Sequence, residues 1–338
     1  MAQESVSLPA LYRSKLSLIE TERAIKLLKD TFERELAQNL NLIRVSAPLF
    51  VRPETGLNDD LSGVERPVAF DIPALEGAEG QIVHSLAKWK RQALHRYGFG
   101  SGEGLYTDMN AIRRDEALDS IHSLYVDQWD WELVISREER TLEVLVAAVE
   151  KIVCALRTTE RRLIEEYPVF GRKIPDKLFV ISTQELADTY PELTPKERED
   201  VICREFGLVL LTQIGGALRS GKPHDMRAPD YDDWTLNGDI LVWDYTRGHA
   251  LELSSMGIRV DAEAMDRQLT LAGKEERRAL PYHRAVLDNT LPLTIGGGIG
   301  QSRLCMYFLE KAHIGEVQSS CWPDEMWRQC EKCGIHLL

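Results

Sequence analysis

The residues best suited to chemistry stand near the end of the chain, in TIGGGIGQSRLCM at positions 294–306. A strand-forming lead runs into Gly296, Gly297, Gly298 and then Gly300, and Arg303 opens a helix. Glycine lets backbone approach a flat or anionic ligand closely, and a helix N-terminus beside an arginine favours phosphate. A glycine-rich turn packed against a neighbouring helix is the competing reading. No GK[ST] follows, so this is not a Walker loop, and a dinucleotide-binding GxGxxG would sit in a parallel strand-helix-strand unit early in the chain. In YVDQWDWE, Gln128 and Asp130 stand two apart on an expected strand, which turns both side chains to one face. Cys330 and Cys333 have CxxC spacing, but zinc needs about four ligands and no second pair exists. The other cysteines, Cys154, Cys203, Cys305 and Cys321, are scattered, so reduced thiols are expected.

Composition limits the classes open to such a site. With 43% hydrophobic and 28% charged residues over 338 positions, the chain reads as a globular protein able to bury a large core. No stretch approaches about 18 uninterrupted apolar residues, and the opening MAQESVSLPALYRSKLSL has no secretion-signal pattern, so a cytoplasmic location and no membrane partner are expected. The formal net charge is -13, with lysines and arginines interspersed among acids, a field that repels a phosphate backbone; nucleic acid is not the expected partner.

The elements that must position the site follow from periodicity. Ile25, Leu28, Phe32, Leu36 and Leu40 recur every three to four residues, predicting an amphipathic helix over 20–40. Residues 42–51 read as one strand that is bent at Pro48 or lies at an edge, and 68–72 as another. A helix capped by Ser85 is expected next, then a strand at 123–134 and a long helix at 141–167. KLFVIS, LVLLTQIG, DILVWD and ALELSSMGIRV read as strands, and 196–206, 262–271, 274–288 and 302–312 as helices. Strands with alternating patterns, irregularly separated by helices, predict an α+β fold whose mainly antiparallel sheet is flanked by helices. No repeat or linker marks a boundary, so one domain over 1–338 is expected.

GIGQSRLCM resembles the third signature of class II aminoacyl-tRNA synthetases, and AIRRDEALDSIHSLYVDQWDWE, at 111–132, resembles their second. The strings DDLSG, VHSLAKWKR, GLYTDMNAIR, YVDQWDWE, RAPDYDDW, LNGDI, ELSSMGIRV and TIGGGIGQSR are similar, nearly end to end, to the ammonia-dependent asparagine synthetase family. That resemblance implies a class II synthetase-like core, a homodimer formed through the first helix and the strand after it, and amidation of L-aspartate by ammonia. It implies an aspartyl-adenylate made from ATP with Mg2+, releasing AMP and pyrophosphate. Between RAPDYDDW and LNGDI stands only Thr235, where the resemblance implies a longer mobile loop.

The roles it implies fall on particular positions. Arg113 bridges the α-phosphate and the reacting carboxylate, and Arg303 takes the adenine and triphosphate side. Ser123, Leu253, Ser254 and Gly298 complete the ATP contacts. Glu252 and Ser255 at an irregular strand end, with Asp239 from an adjacent strand, offer Mg2+ its hard oxygens. Ser85, Lys90, Gln128, Asp130, Arg227, Asp232 and Ser255 receive aspartate. Asp59 or Asp130 binds ammonium and takes its proton. Glutamine-using synthetases carry a separate amidohydrolase domain with a free N-terminal cysteine, and Met1-Ala2 opens this chain, so free ammonia is the expected donor. The rivals are a truncated tRNA synthetase, a silent synthetase-like regulator, and an unrelated glycine-rich nucleotide binder.

Overall fold

The computed structural model describes residues 12–59, 61 and 65–338. Helix α1 (Leu18–Leu40) starts in a capping box: the Ser17 side chain accepts from the Glu20 amide, and Glu20 reaches back to the Ser17 backbone. It ends at Asn41 in the left-handed region, φ 55°. The chain continues through β1 (Leu42–Arg44), β2 (Phe50–Val51), β3 (Ala69–Ile72), β4 (Ala78–Ile82), α2 (Ala87–Tyr97), β5 (Gly104–Ile112), β6 (Tyr125–Val134) and α3 (Leu142–Glu166). Then follow β7 (Phe179–Ser182), α4 (Thr183–Thr189), α5 (Pro195–Phe206), β8 (Leu208–Thr212), β9 (Asp232–Asp244) and β10 (His249–Arg259). The chain closes with α6 (Ala262–Leu271), α7 (Pro281–Leu287), β11 (Thr294–Gly300), α8 (Gln301–Phe308) and α9 (Asp324–Lys332).

Eight strands form one sheet in the order β1-β5-β6-β11-β10-β9-β8-β7. The outer pairs β1/β5 and β7/β8 are parallel and every pair between them is antiparallel, as the alternating patterns predict. One face is the core. Trp129, Trp131, Met256, Ile295 and Ile299 pack there with Phe32 and Leu36 of α1 and Val149 and Ile152 of α3. Each such side chain contributes about 1.5–3 kcal/mol on burial. The apolar stripes of α1 and α3 are therefore spent holding the sheet, and the opposite face of its central strands is open to carry polar groups. Helix α2 lies over β6 and β11 on that second face.

Several expected boundaries move. Residues 42–51 do not form one strand: β1 joins the large sheet, and β2 joins a small antiparallel sheet in the order β2-β4-β3. Pro48, which cannot donate to a ladder, lies in the crossing between them. Ser85 does not cap α2; the N-cap is Leu86, without a side-chain bond, and the Ser85 hydroxyl accepts from the Ala87 amide. The single helix expected over 274–288 is a 3-10 turn at Glu275–Ala279 followed by α7, because Pro281 holds Leu280 extended, at ψ 147°. Helix α8 is shorter than expected, ending at Phe308 before Glu310 turns to φ 51°. No loop stands at Thr235, which lies inside the continuous strand β9. Strands β4 and β5 and helices α4 and α9 belong to segments for which no element was read from periodicity.

Candidate active site

The floor of the site is a set of aligned positions on neighbouring strands. On β6, Gln128, Asp130 and Glu132 pair with Gly300, Gly298 and Gly296 of β11. Gly298 pairs with Ser255 of β10, and Ser255 with Asp239 of β9. Directly paired residues share a face, so Asp130, Gly298, Ser255 and Asp239 make one polar rung across four strands. An irregularity between Glu252 and Ser254 shifts the phase of β10, so Glu252 and Ser255, an odd number apart, both line the same cavity.

The glycines are required by their neighbours. A Cβ on Gly298 would meet Gln128 Oε1 and lie 3.0 Å from Asp130 Oδ1, and one on Gly296 would collide with Glu132 Oε2. The β6 side chains thus lie across β11 on the polar face. Gly297 points the other way, where a Cβ would lie 2.5 Å from Met256 Cβ and 2.7 Å from the Ser255 carbonyl oxygen.

Charges of both signs are buried beside this rung. Lys90 on α2 is 0% exposed and donates to Asp130 Oδ1 at 2.7 Å and to the Gly297 carbonyl at 2.9 Å. Burial first holds its ammonium below the usual lysine range, against the pull of Asp130. Arg259 joins Glu132, at 2.7 Å from Oε2, to Asp232, with which it makes a close contact. Burial opposes the Arg259 charge, but Asp232 and Glu132 outweigh it and raise the guanidinium well above its ordinary value. Burial pushes the Asp232 carboxyl up, more than Arg259 pulls it down. Three acids against two bases leave this recess with a negative formal excess, suited to an ammonium group. Lys90 and Gln128 add donors suited to a carboxylate.

A second cluster stands across the cavity. Arg303 lies 3.7 Å from Glu252 and donates to its carbonyl oxygen at 3.2 Å. Arg113 follows the end of β5, its backbone amide donating to the Leu124 carbonyl at 2.8 Å; its side chain lies 3.8 Å from Glu116, and its Nε has no hydrogen-bond partner. Burial pushes the Glu252 carboxyl up, but Arg303 first, then Arg227, Lys196 and Arg113, hold it below its ordinary value. Asp239 is pushed up to about 7, by burial first and by the Glu252 charge, against Arg227 in close contact with it. Asp239 Oδ1 is buried without a hydrogen-bond partner. Two carboxylates and the Ser255 hydroxyl are a hard-oxygen set that fits Mg2+, which commonly takes one or two carboxylates plus substrate phosphates. Among the described residues, no group of three or more His, Cys, Asp or Glu could by itself hold a metal.

Lys90, Asp130, Asp232 and Arg259 of the first cluster and Arg113, Arg227, Glu252, Ser255 and Arg303 of the second line one cavity of about 400 Å³. The sequence profile of the aspartate-ammonia ligase family matches residues 19–334. The chain belongs to the aspartate-ammonia ligase family. It is 60% identical over 335 residues, 99% of this chain and all of the relative, to the aspartate-ammonia ligase of Clostridium perfringens strain SM101. It is 58% identical over 328 residues to that of Bacillus cytotoxicus, covering 97% of this chain and all of that one. It is therefore an enzyme, a ligase of asparagine biosynthesis. Its fold is similar to asparaginyl-tRNA synthetase of Pyrococcus horikoshii complexed with asparaginyl-adenylate, with TM-score 0.65 and 14% identity over 90% of this chain and 70% of that one. Aspartyl-tRNA synthetase of Entamoeba histolytica matches with TM-score 0.58 and 15% identity, over 89% of this chain and 57% of that one. The expected class II synthetase-like core is thus the fold of this ligase.

Most expected site residues of the ligase meet in that cavity: Asp59, Ser85, Lys90, Arg113, Ser123, Gln128, Asp130, Arg227, Asp232, Glu252, Leu253, Ser255, Gly298 and Arg303 line it. Two do not. Ser254 turns its hydroxyl onto the Gly298 carbonyl at 2.9 Å, bracing β10 against β11. Asp239 stands behind the lining, held by Arg227. Leu253 lies in the core cluster as well as at the cavity edge. Ser123 accepts from the Tyr125 amide and donates to Ser320 at 2.9 Å.

Among the lining or supporting residues that were not assigned from sequence are Glu132, Arg259, Tyr231 and His84. Glu132 continues the two-residue period of Gln128 and Asp130. Arg259 is a charged residue inside an otherwise apolar strand end, and such a residue needs buried partners. Those were available signals. Tyr231 and His84 carried none, since only tertiary packing brings them to the cavity.

Proposed function

We propose that this ligase forms L-asparagine by first joining the aspartate side-chain carboxylate to the α-phosphate of ATP, releasing pyrophosphate, and then letting ammonia displace AMP. The observation that carries this reading is the division of one cavity into an amino-acid recess at Lys90, Gln128, Asp130 and Asp232 and a phosphate wall at Arg113 and Arg303 facing Glu252. The solved neighbour complexed with asparaginyl-adenylate supports it by analogy of fold.

A carboxylate is a poor electrophile, and conversion to an acyl-adenylate supplies a good leaving group. Asp232 and Asp130 receive the α-ammonium, and Lys90 and Gln128 the α-carboxylate. Arg113 holds the α-phosphate and the reacting carboxylate oxygen together as charge develops on the bridging phosphate. Arg303 orients the adenine and the triphosphate tail; Ser123, Leu253 and Gly298 border the nucleotide. Asp239, Glu252 and Ser255 would hold Mg2+, which neutralises phosphate charge when bound. Ammonium gives one proton to Asp59, or in the alternative to Asp130. The nitrogen attacks the carbonyl carbon, the tetrahedral adduct loses a second proton, and the bond to the phosphate oxygen breaks with AMP leaving.

We also read the exposed Leu18 and Ile19 of α1 and Ile43 of β1 as part of a homodimer face, in a cytosolic enzyme that uses neither nucleic acid nor membrane as partner. No helix among the described residues is long and apolar enough to cross a membrane.

The test is incubation with ATP, Mg2+ and aspartate, with ammonium, glutamine or neither. Asparagine and AMP in equal amounts with ammonium, and far less with glutamine, is the expected result. ADP in place of AMP would refute the adenylate.

A further inference from the structure

We propose that Gln318 selects the base of the nucleotide, its side-chain carbonyl accepting the 6-amino group that adenine has and guanine lacks. This rests on the reading of ATP as the activating substrate and adds the residue that discriminates it.

Gln318 follows α8 in the chain, is 5% exposed and lines the cavity. One end of its side-chain amide is already engaged. Nε2 donates to Ser302 Oγ at 3.0 Å and, more weakly, to Asp127 Oδ1 at 3.4 Å. Asp127 also accepts from the Ser302 amide at 3.0 Å and from Lys29 at 3.0 Å. An ionised carboxylate only accepts, so the donor end of Gln318 must face it and the amide cannot reverse. The other end, Oε1, is buried without a hydrogen-bond partner. A buried acceptor in that state is costly, and a ligand that brings a donor removes the cost.

The surroundings suit a base rather than a phosphate. Gly300 has no side chain to cap α8, and Asp127 takes that part from β6 by accepting the Ser302 amide. The start of α8 thus meets an incoming anion with a carboxylate in place of a free amide. Ile121 and Ile314 line the same cavity. Their segments are joined where the Ile314 amide donates to the Ser120 carbonyl at 2.8 Å and Ser123 donates to Ser320 at 2.9 Å. A flat heterocycle needs apolar faces and a polar contact at its edge; the isoleucines supply the first and Gln318 the second. Arg303, read above as orienting the adenine, follows Ser302 directly. At position 6 adenine carries a donor and guanine an acceptor, so the fixed amide pairs with adenine and sets one carbonyl oxygen against another for guanine.

The test compares ATP with purine riboside triphosphate, which lacks only the 6-amino group, and with GTP, in ammonium-dependent formation of asparagine. In the unsubstituted enzyme kcat/KM is expected to fall about tenfold or more for the purine analogue and about a hundredfold or more for GTP. Gln318→Leu is expected to bring ATP down to the level of the analogue, while kcat/KM for the analogue and the KM for aspartate stay within about twofold. Retained turnover of the analogue shows that the variant is folded. Gln318→Met, closer in shape to glutamine, is expected to behave in the same way and carries the test if leucine disturbs the turn. Equal use of ATP and the analogue by the unsubstituted enzyme, or a preference for ATP that survives in either folded variant, would overturn the assignment. ADP in place of AMP would instead refute the adenylate reading and leave these ratios standing, so the two failures are separable.

Discussion

Asp130 and Asp239 lie on one rung of the sheet, three strands apart, joined through Gly298 and Ser255. At about 4.8 Å per strand their backbones are roughly 14 Å apart, the span that the proposed function gives to the amino-acid end and the phosphate end of one extended reactant pair. The side chain between them on β11 is a hydrogen atom, so the reactants can cross the rung unobstructed.

Lys90 is the buried cation on which the recess depends. In Lys90→Met, Asp130 and Glu132 lose a partner in a dry site, and breaking such an ion pair costs about 3–5 kcal/mol. Urea unfolding should show a loss of that size, whereas Lys90→Met with Asp130→Leu should be less destabilised than the single variant. Aspartate binding should be lost in both.

Gly297 and Gly298 face opposite sides of β11, and alanine at each should fail differently. Gly297→Ala forces a methyl against the Ser255 carbonyl and the Met256 stem, so thermal unfolding should show a drop of about 1–3 kcal/mol from overpacking. Gly298→Ala displaces the ends of Gln128 and Asp130, so the KM for aspartate should rise with a smaller change in stability.

If Asp239 holds Mg2+ as proposed, its carboxyl, pushed up to about 7, gives Mg2+ binding a pH dependence. Below that value a proton competes with the metal; above it the carboxylate is ionised. Titration should show Mg2+ requirement falling as pH rises from about 6 to 8. Asp239→Asn should need more Mg2+ at every pH and lose the trend.

His313 is fully buried, and burial holds its imidazole down at about 4 despite Asp119. Its ordinary value is about 6.5, so between these values the unfolded chain binds the proton that the folded chain refuses. The stability lost as pH falls from about 6.5 to 4 is on the order of 3 kcal/mol. His313→Asn keeps an acceptor for the Gly315 amide and should flatten this part of the stability curve in unfolding measured at several pH values.

The long amphipathic helices and the two-residue alternation of β6 were legible because burial of one face writes a period into the sequence. The glycine run was legible as a site but not for its reason, since the side chains that need the space come from a different strand, at Gln128 and Glu132. Ser254 and Asp239 were assigned by resemblance; the hydroxyl of Ser254 turns onto the Gly298 carbonyl, and Asp239 stands behind the cavity lining. Glu132 and Arg259 each carried a signal, but their pairing with each other and with Asp232 was not read because the three are distant along the chain. A one-residue gap at Thr235 suggested a lost loop, yet pairing with β10 carries β9 straight through that point.

The central claim is that the aspartate side-chain carboxylate becomes bonded to the α-phosphate. Aspartate labelled with oxygen-18 in that carboxylate should be converted with ammonium and ATP, and the released AMP analysed by mass spectrometry. One labelled oxygen in the AMP phosphate is the predicted result. Unlabelled AMP, or label in inorganic phosphate released beside ADP, would contradict it.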